Sequence, residues 1–181
     1  APFLLSLSSL LILASGYREY EHKYNYEITP ILGYHINESN LNIDNEVSLG
    51  FRFVLNNYGT FRPEFSLDRS LLDVQYSNGS KTSITRLGFN EFYDLEDLSL
   101  LSQWNPYILT GVGIESFSNE VGENVDDVYF NYGLGIKYDL KKDDYMVRGE
   151  FKHMIDVDGL DHRFGLYVGL VIPFDKTYKY R

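Results

Sequence analysis

The segment FGLYVGLVIPF, residues 164–174, places an apolar side chain at every second position. The apolar positions are Phe164, Leu166, Val168, Leu170, Ile172 and Phe174. Mixed, small or charged residues lie between them, so the segment predicts a β-strand with two unlike faces. Strands of soluble proteins usually have about 5–6 residues, whereas about 11 are needed to cross a lipid bilayer at a tilt. If the pattern recurs, the apolar face is expected to meet lipid rather than a protein core.

The same alternation recurs along the chain and predicts eight strands. Their predicted ranges are 24–35, 45–55, 61–76, 82–93, 104–118, 128–138, 145–155 and 162–174. Short links make neighbouring strands antiparallel, and an open sheet would leave unpaired edges in lipid. The predicted fold is therefore all-β, an eight-stranded antiparallel up-and-down transmembrane β-barrel over residues 24–174. Glu91 interrupts one apolar face, where a bulge or an interfacial position is expected, and the link 94–103 is expected to contain a helical turn.

The composition narrows the class of protein further. The chain has 181 residues, a size typical of one domain, and its mean hydropathy of -0.26 does not indicate a helical membrane protein. There is no Cys, which excludes disulfides and thiol catalysis, and no cofactor is predicted. A net charge of -10 argues against nucleic acid as a partner. The 16 Tyr and 12 Phe residues suit strands and membrane interfaces.

Two flanking regions are predicted to lie outside the barrel. Residues 1–16 resemble a secretory signal peptide, with an apolar run over 3–14 and small residues at 14 and 16. A short buried helix is the alternative for this run. Residues 17–23 are interpreted as a polar N-terminal tail, and residues 175–181 as a C-terminal tail or the start of a linker.

The polar faces of the predicted strands carry charges of both signs. Because side chains just fill the interior of an eight-stranded barrel, these charges are expected to pair there. The predicted charge network of the lumen comprises Glu27, Arg52, Glu64, Arg86, Arg148, Glu150 and Lys152. A structural polar core is the favoured interpretation, and a gate or proton-conducting plug is the alternative. Room for the long charged side chains is expected from glycines at 50, 88, 111, 113, 133, 135, 165 and 169.

Candidate catalytic and metal-binding residues are sparse. No metal-ligand spacing is found among the four histidines, His22, His35, His153 and His162. His35 and Ser39 lie near one predicted loop and His162 near another, so no base and nucleophile are expected to meet. We therefore predict no catalytic residue, no metal site and no enzyme. An acidic loop offers a weak divalent-cation site as a hypothesis, at Glu120, Glu123, Asp126 and Asp127.

Several motifs spread along the chain resemble one known family. They are YEITPILGY at 26–34, NLNIDN at 40–45, DVQYS at 73–77, KTSITR at 81–86, ESFSN at 115–119 and YGLGIK at 132–137. These motifs are similar to those of the OmpA-type outer-membrane β-barrels of campylobacter-like bacteria, a group that includes fibronectin-binding adhesins. The resemblance covers residues 26–174. In this family a periplasmic peptidoglycan-binding domain usually follows the barrel.

The resemblance implies a place in the outer membrane of a Gram-negative bacterium. It implies outer-membrane lipid, lipopolysaccharide and the barrel assembly machinery as partners, and a host extracellular-matrix protein if the chain is an adhesin. It also makes Phe174, the aromatic end of the last strand, the expected signal for the assembly machinery. The expected function is a structural or surface-interacting role, as in an adhesin, with a polar, plugged lumen. The alternatives are a small passive pore, a lipid-modifying barrel enzyme and a soluble ligand-carrying barrel.

Overall fold

The computed structural model describes residues 24–38, 43–56, 62–95, 104–118, 127–141, 145–158 and 161–175, and within them all regular structure is β. The strands are β1 (Tyr26–Asn37), β2 (Glu46–Leu55), β3 (Arg62–Ser70), β4 (Val74–Gln75), β5 (Lys81–Thr82), β6 (Ile84–Asp94), β7 (Trp104–Phe117), β8 (Asp127–Lys141), β9 (Tyr145–Asp156) and β10 (His162–Phe174). Among these described residues, no helix has the length and apolar character needed to span a membrane.

Eight of the strands close into a barrel, in the order β1-β10-β9-β8-β7-β6-β3-β2. All neighbours are antiparallel, and β1 pairs with β10 from Tyr26 opposite Phe174 to Asn37 opposite Arg163. Each barrel strand therefore has a hydrogen-bonded neighbour on both sides, which is what a sheet in lipid requires. The predicted eight-stranded antiparallel barrel is confirmed.

The two rims of the barrel are named here by the usual orientation of bacterial outer-membrane barrels. The periplasmic rim is the one where β1 begins and β10 ends, and the extracellular rim is the opposite one. Between strands, the predicted helical turn in the link 94–103 falls mostly on residues 96–103, which lie outside the described residues. The predicted signal peptide and both predicted tails lie outside them too, apart from residue 175.

The predicted strand 61–76 is wrong at its C-terminal end, because β3 ends at Ser70. There the Leu71 amide donates to the carbonyl of Val47, and the Ser70 hydroxyl accepts from the amide of Ile84. The chain then forms a separate hairpin, in which β4 pairs with β5. The alternation changes phase at this boundary, because the apolar positions are odd-numbered in β3 (Phe65 and Leu67) and even-numbered in the hairpin (Val74 and Tyr76).

The hairpin carries a small apolar core at the extracellular rim. Val74 packs there with Ile84 and Phe117, and Ile43 from the first extracellular link packs against them. An isolated β-bridge between Ile43 and Tyr76 joins that link to the hairpin. The end of the first extracellular link and the hairpin are therefore tied together by apolar packing as well as by the backbone hydrogen bond from Asp44 to Gln75.

The barrel is apolar outside and charged inside. Exposed side chains on its outer face include Ile28, Leu32, Leu49, Phe65, Leu87, Val112, Phe130, Leu134, Leu166 and Val168. Val168, for example, is 52% exposed, whereas Arg52 on the inner face is 0% exposed. A soluble ligand-carrying barrel would need the reverse arrangement, because exposed apolar surface on this scale is stable only in lipid.

Aromatic side chains gather at the periplasmic rim. Tyr26 stacks on Phe174 with ring centroids 5.2 Å apart and on Phe53 at 6.0 Å. The ring centroids of Trp104 and Tyr138 lie 4.8 Å apart on the adjoining strands β7 and β8. Such belts are typical of membrane–water interfaces, where an apolar ring with a polar edge is well solvated.

Glu91 lies near this rim on the outer face of β6. The register between β6 and β7 is continuous from Ile84 to Asp94, so the sequence-based expectation of a bulge is not met. Glu91 instead occupies the interfacial position that was the alternative to a bulge. It is only partly exposed and accepts a hydrogen bond from the hydroxyl of Tyr93.

Three inward tyrosines each lie directly opposite a glycine on the neighbouring strand. The pairs are Tyr167 with Gly33, Tyr129 with Gly113 and Tyr107 with Gly135. A Cβ at any of these glycines would overlap the facing ring or come closer to it than real Cβ contacts allow. The predicted role of the inward glycines needs correction here, because at Gly113 and Gly135 the space is filled by tyrosine rings rather than by long charged side chains.

Replacing Gly113 with Ala should therefore destabilise the barrel by about 1–3 kcal/mol, the usual cost of overpacking. The new methyl group would overlap the Tyr129 ring and lie 2.5 Å from the carbonyl oxygen of Leu87. The matched control is Gly149→Ala, whose methyl group would meet only Ile136, at 3.9 Å. Urea unfolding of both variants in detergent measures the difference, and equal midpoints would contradict the tyrosine–glycine packing.

Candidate functional site

The interior of the barrel is lined by buried charges of both signs. Within the described residues, the buried acids and bases number seven each. They are Glu27, Glu46, Glu64, Asp68, Glu115, Glu150 and Asp156, with Arg52, Arg62, Arg86, Lys137, Arg148, Lys152 and Arg163. The seven residues predicted for the network are all among them. Each points inward because it shares the parity of its strand's polar face.

The densest group surrounds Arg148 on β9. Its Nη1 lies 2.5 Å from Glu64 Oε2 across the barrel, and its Nε lies 3.1 Å from Glu150 Oε2. The same Nε donates to the hydroxyl of Tyr107 at 2.7 Å, and that hydroxyl donates to Glu150 at 2.9 Å. The Nζ of Lys152 lies 3.5 Å from Glu150 Oε1. One guanidinium thus joins strands β3, β7 and β9.

A second group lies toward the periplasmic rim around Glu27. Lys137 Nζ lies 2.5 Å from Glu27 Oε2, and Arg62 lies 3.8 Å from Glu27 Oε1. Arg62 also pairs with Asp94. The ring of Phe92 lies beneath these cations, with Arg62 and Lys137 each 4.5 Å from its centroid. Cation–π contacts of this kind help to offset the removal of the charges from water.

A third group lies toward the extracellular rim. Arg86 pairs with Glu46 and, at 2.5 Å, with Glu115. Arg163 pairs with Glu115 as well and lies 2.6 Å from Asp156. Glu115 therefore forms ion pairs with two arginines, which lie on β6 and β10.

Arg52 and Asp68 form a further pair, with Nη1 and Oδ1 2.8 Å apart. The Arg52 guanidinium also lies 5.0 Å from the centroid of the Tyr167 ring. The seven predicted residues are thus divided among four groups instead of forming one. The other seven buried charges were outside the predicted set, although the parity of their strands indicates that they point inward: Glu46, Asp68, Glu115, Asp156, Arg62, Lys137 and Arg163.

The histidines are brought together in two places. His35 is buried in the lumen, where its Nε2 lies 3.0 Å from the hydroxyl of Ser48 and 3.5 Å from that of Tyr167. His153 and His162 meet on the outer face, with Nε2 and Nδ1 3.0 Å apart. The sequence did not indicate either contact. Of the other predicted positions, His22, Ser39, Glu120, Glu123 and Asp126 lie outside the described residues.

Phe174 is the last residue of β10 and points outward at the periplasmic rim. Its ring belongs to the aromatic group with Tyr26 and Phe53. This position at the end of the closing strand leaves the ring accessible from the membrane side. Its role as an assembly signal stays a prediction.

The comparisons with known proteins agree on the fold. No protein-family model and no curated protein matches the sequence. Solved structures do match, among them the neisserial surface protein NspA, with a TM-score of 0.65 and 12% identity over 82% of this chain and 97% of that one. The chain has the fold of the small outer-membrane barrels. The predicted location in an outer membrane is thereby supported at the level of fold.

Two further structures extend this similarity. The N-terminal barrel domain of OprF from Pseudomonas aeruginosa matches with a TM-score of 0.54 and 14% identity, over 84% of this chain and 100% of that one. Ail, the attachment invasion locus protein of Yersinia pestis, matches in its complex with the heparin analogue sucrose octasulfate. Its TM-score is 0.54 and its identity 10%, over 84% of this chain and 100% of that one. Identities this low establish the barrel and no finer function.

Replacing Arg148 with Met should destabilise the barrel by about 3–5 kcal/mol, because Glu64 and Glu150 would remain buried with reduced compensation. Lys152→Met is the matched control on the same strand, since Lys152 makes one longer contact, at 3.5 Å, and Glu150 would keep Arg148. Urea unfolding in detergent, followed by the mobility difference between folded and unfolded barrel on gels, measures both. An equal or larger loss in the Lys152 variant would contradict the central place of Arg148.

Proposed function

We propose that the chain is an outer-membrane anchor with a closed lumen, and that it interacts with other molecules at its extracellular rim. The observation that carries this proposal is the set of paired charges inside the barrel. Every predicted network residue has an oppositely charged partner within 4 Å, and tyrosine rings fill the space over Gly33, Gly113 and Gly135. An ion entering this lumen would have to separate buried pairs, which costs several kcal/mol.

The hairpin of β4 and β5 has the features of an ordered binding surface at the extracellular rim. The hairpin of β4 and β5 is held by the apolar core around Val74 and by the bridge from Ile43 to Tyr76. The links on this rim, 38–45, 71–83, 118–126 and 157–161, contain eight Asp or Glu and one Lys. Such a surface favours a basic partner over a polyanion, so the heparin analogue bound by Ail is not the ligand chemistry that we propose here.

An adhesin role is the second candidate within this proposal. The motifs that resemble the campylobacter-type adhesin CadF support a host extracellular-matrix protein, such as fibronectin, as the partner. Outer-membrane lipid and lipopolysaccharide are proposed to cover the apolar outer face, and the assembly machinery to read Phe174. We also propose that the barrel is not an enzyme.

The closed lumen predicts that the folded barrel gives no steady conductance in planar lipid bilayers. Before boiling, the same preparation should migrate differently on gels than after boiling, as a closed barrel in detergent does. Arg148→Met should produce small conducting events, because it removes the guanidinium that joins three strands across the lumen. Frequent conductance by the unaltered protein would favour the passive pore instead.

The surface-binding role predicts that replacing residues 74–82 by a short Gly-Ser turn abolishes the capture of immobilised fibronectin by whole cells. The loss is expected because the hairpin and its apolar core would both be removed. A matched replacement of residues 142–144, in a link at the periplasmic rim, should leave capture unchanged at equal surface level. Absence of capture by the unaltered protein would overturn the adhesin role and leave the closed anchor intact.

A further inference from the structure

Two histidines meet on the outer face of the barrel near the extracellular rim. His153 lies on β9 three residues before its end, and His162 is the first residue of β10. They are diagonal neighbours across the hairpin, because His153 is opposite Phe164 and His162 is opposite Ile155. His153 Nε2 and His162 Nδ1 lie 3.0 Å apart. Neither side chain belongs to the charged lumen.

We propose that His153 and His162 form a binding site for a divalent transition-metal ion of the zinc or copper type. Two nitrogens that each lie about 2.0–2.1 Å from a metal, at angles of about 90–110°, are separated by about 2.9–3.4 Å. The observed separation of 3.0 Å falls in this range; here the two nitrogens share a hydrogen bond, and the metal ion would replace its proton, which is released to water. Imidazole nitrogens favour zinc, copper and nickel over magnesium and calcium, which prefer oxygen ligands.

The surroundings of His153 suit a metal ligand. Its other ring nitrogen, Nδ1, lies 2.7 Å from the hydroxyl oxygen of Tyr132. With the metal on Nε2, Nδ1 would carry the proton and donate it to this oxygen, which fixes the tautomer and the ring orientation. The ring also stacks on Phe164, with centroids 4.6 Å apart and planes 11° apart. These contacts hold the coordinating nitrogen on the side facing His162.

Glu38 places a carboxylate beside the pair, since its Oε2 accepts a hydrogen bond from the His162 amide at 3.0 Å. Within the described part of the chain, no three His, Cys, Asp or Glu side chains are grouped as a complete metal site. The two imidazoles would therefore supply the protein ligands, and the remaining coordination positions would be filled by water or by phosphate oxygens of outer-leaflet lipid. This site joins the barrel to the headgroup layer through the metal.

The test uses the full chain without a polyhistidine tag, folded in detergent that lacks phosphate. Zn²⁺ binding is measured by calorimetry, and Cu²⁺ binding by electron paramagnetic resonance, which reports nitrogen ligands. One site with two imidazole nitrogens is expected. His153→Gln and His162→Gln should each weaken Zn²⁺ binding by at least about 10-fold, and Tyr132→Phe should cause a smaller loss.

The control variant is His22→Gln, which removes a histidine other than the proposed pair and should leave binding unchanged. Heat-dependent gel mobility confirms that each variant is folded. The proposal is overturned if the His153→Gln, His162→Gln double variant binds Zn²⁺ as tightly as the unaltered protein. It is equally overturned if the control variant loses the site. Repeating the titration with lipid vesicles that carry phosphate headgroups should tighten binding if lipid oxygens complete the coordination.

Discussion

A lipid bilayer offers no water to backbone N–H and C=O groups, so the pairing of β1 with β10 is the contact on which the rest of the structure depends. The register of this pair also determines the faces, because side chains alternate strictly along a strand. Glu27 and Arg163 point into the lumen in the observed register. A slip of one residue would turn an entire strand over and move such charges into lipid. Closure and charge placement therefore stabilise the same register.

Closure of the barrel creates a narrow lumen, and the charges buried in it have to be balanced by charges of opposite sign. Transfer of each charge out of water costs several kcal/mol, and only an opposite charge at close range offsets this. Around Arg148, one guanidinium offsets the buried charges of two carboxylates, those of Glu64 and Glu150. It also contacts the hydroxyl of Tyr107. Tyr107 in turn fits only because Gly135 faces it. Glycine positions and charge pairs are thus parts of one packing solution.

The fold could be predicted from the sequence because its signal is local. A period of two, repeated eight times with apolar residues on one face, is readable without knowing which strands pair. The charge pairs were harder, because their partners are distant: Glu27 and Lys137 are 110 residues apart and meet only when the barrel closes. Parity correctly indicated that such residues point inward, but it could not divide them into groups. The hairpin of β4 and β5 is marked in the sequence only by a change of parity, since the apolar positions move from odd numbers in β3 to even numbers at Val74 and Tyr76.

The outer face of the barrel is apolar, but a few polar side chains lie on it. Polar side chains on the lipid side are tolerated only near the headgroups, where a charge costs about 0–1 kcal/mol rather than the 2–4 expected at mid-depth. Arg69, one residue before the end of β3, obeys this rule at the extracellular rim. His153, three residues before the end of β9, stacks on Phe164, and its ring nitrogens are satisfied by Tyr132 and His162 rather than by lipid. Both ring nitrogens of His153 therefore have partners on the outer face, without any contact to the charged lumen.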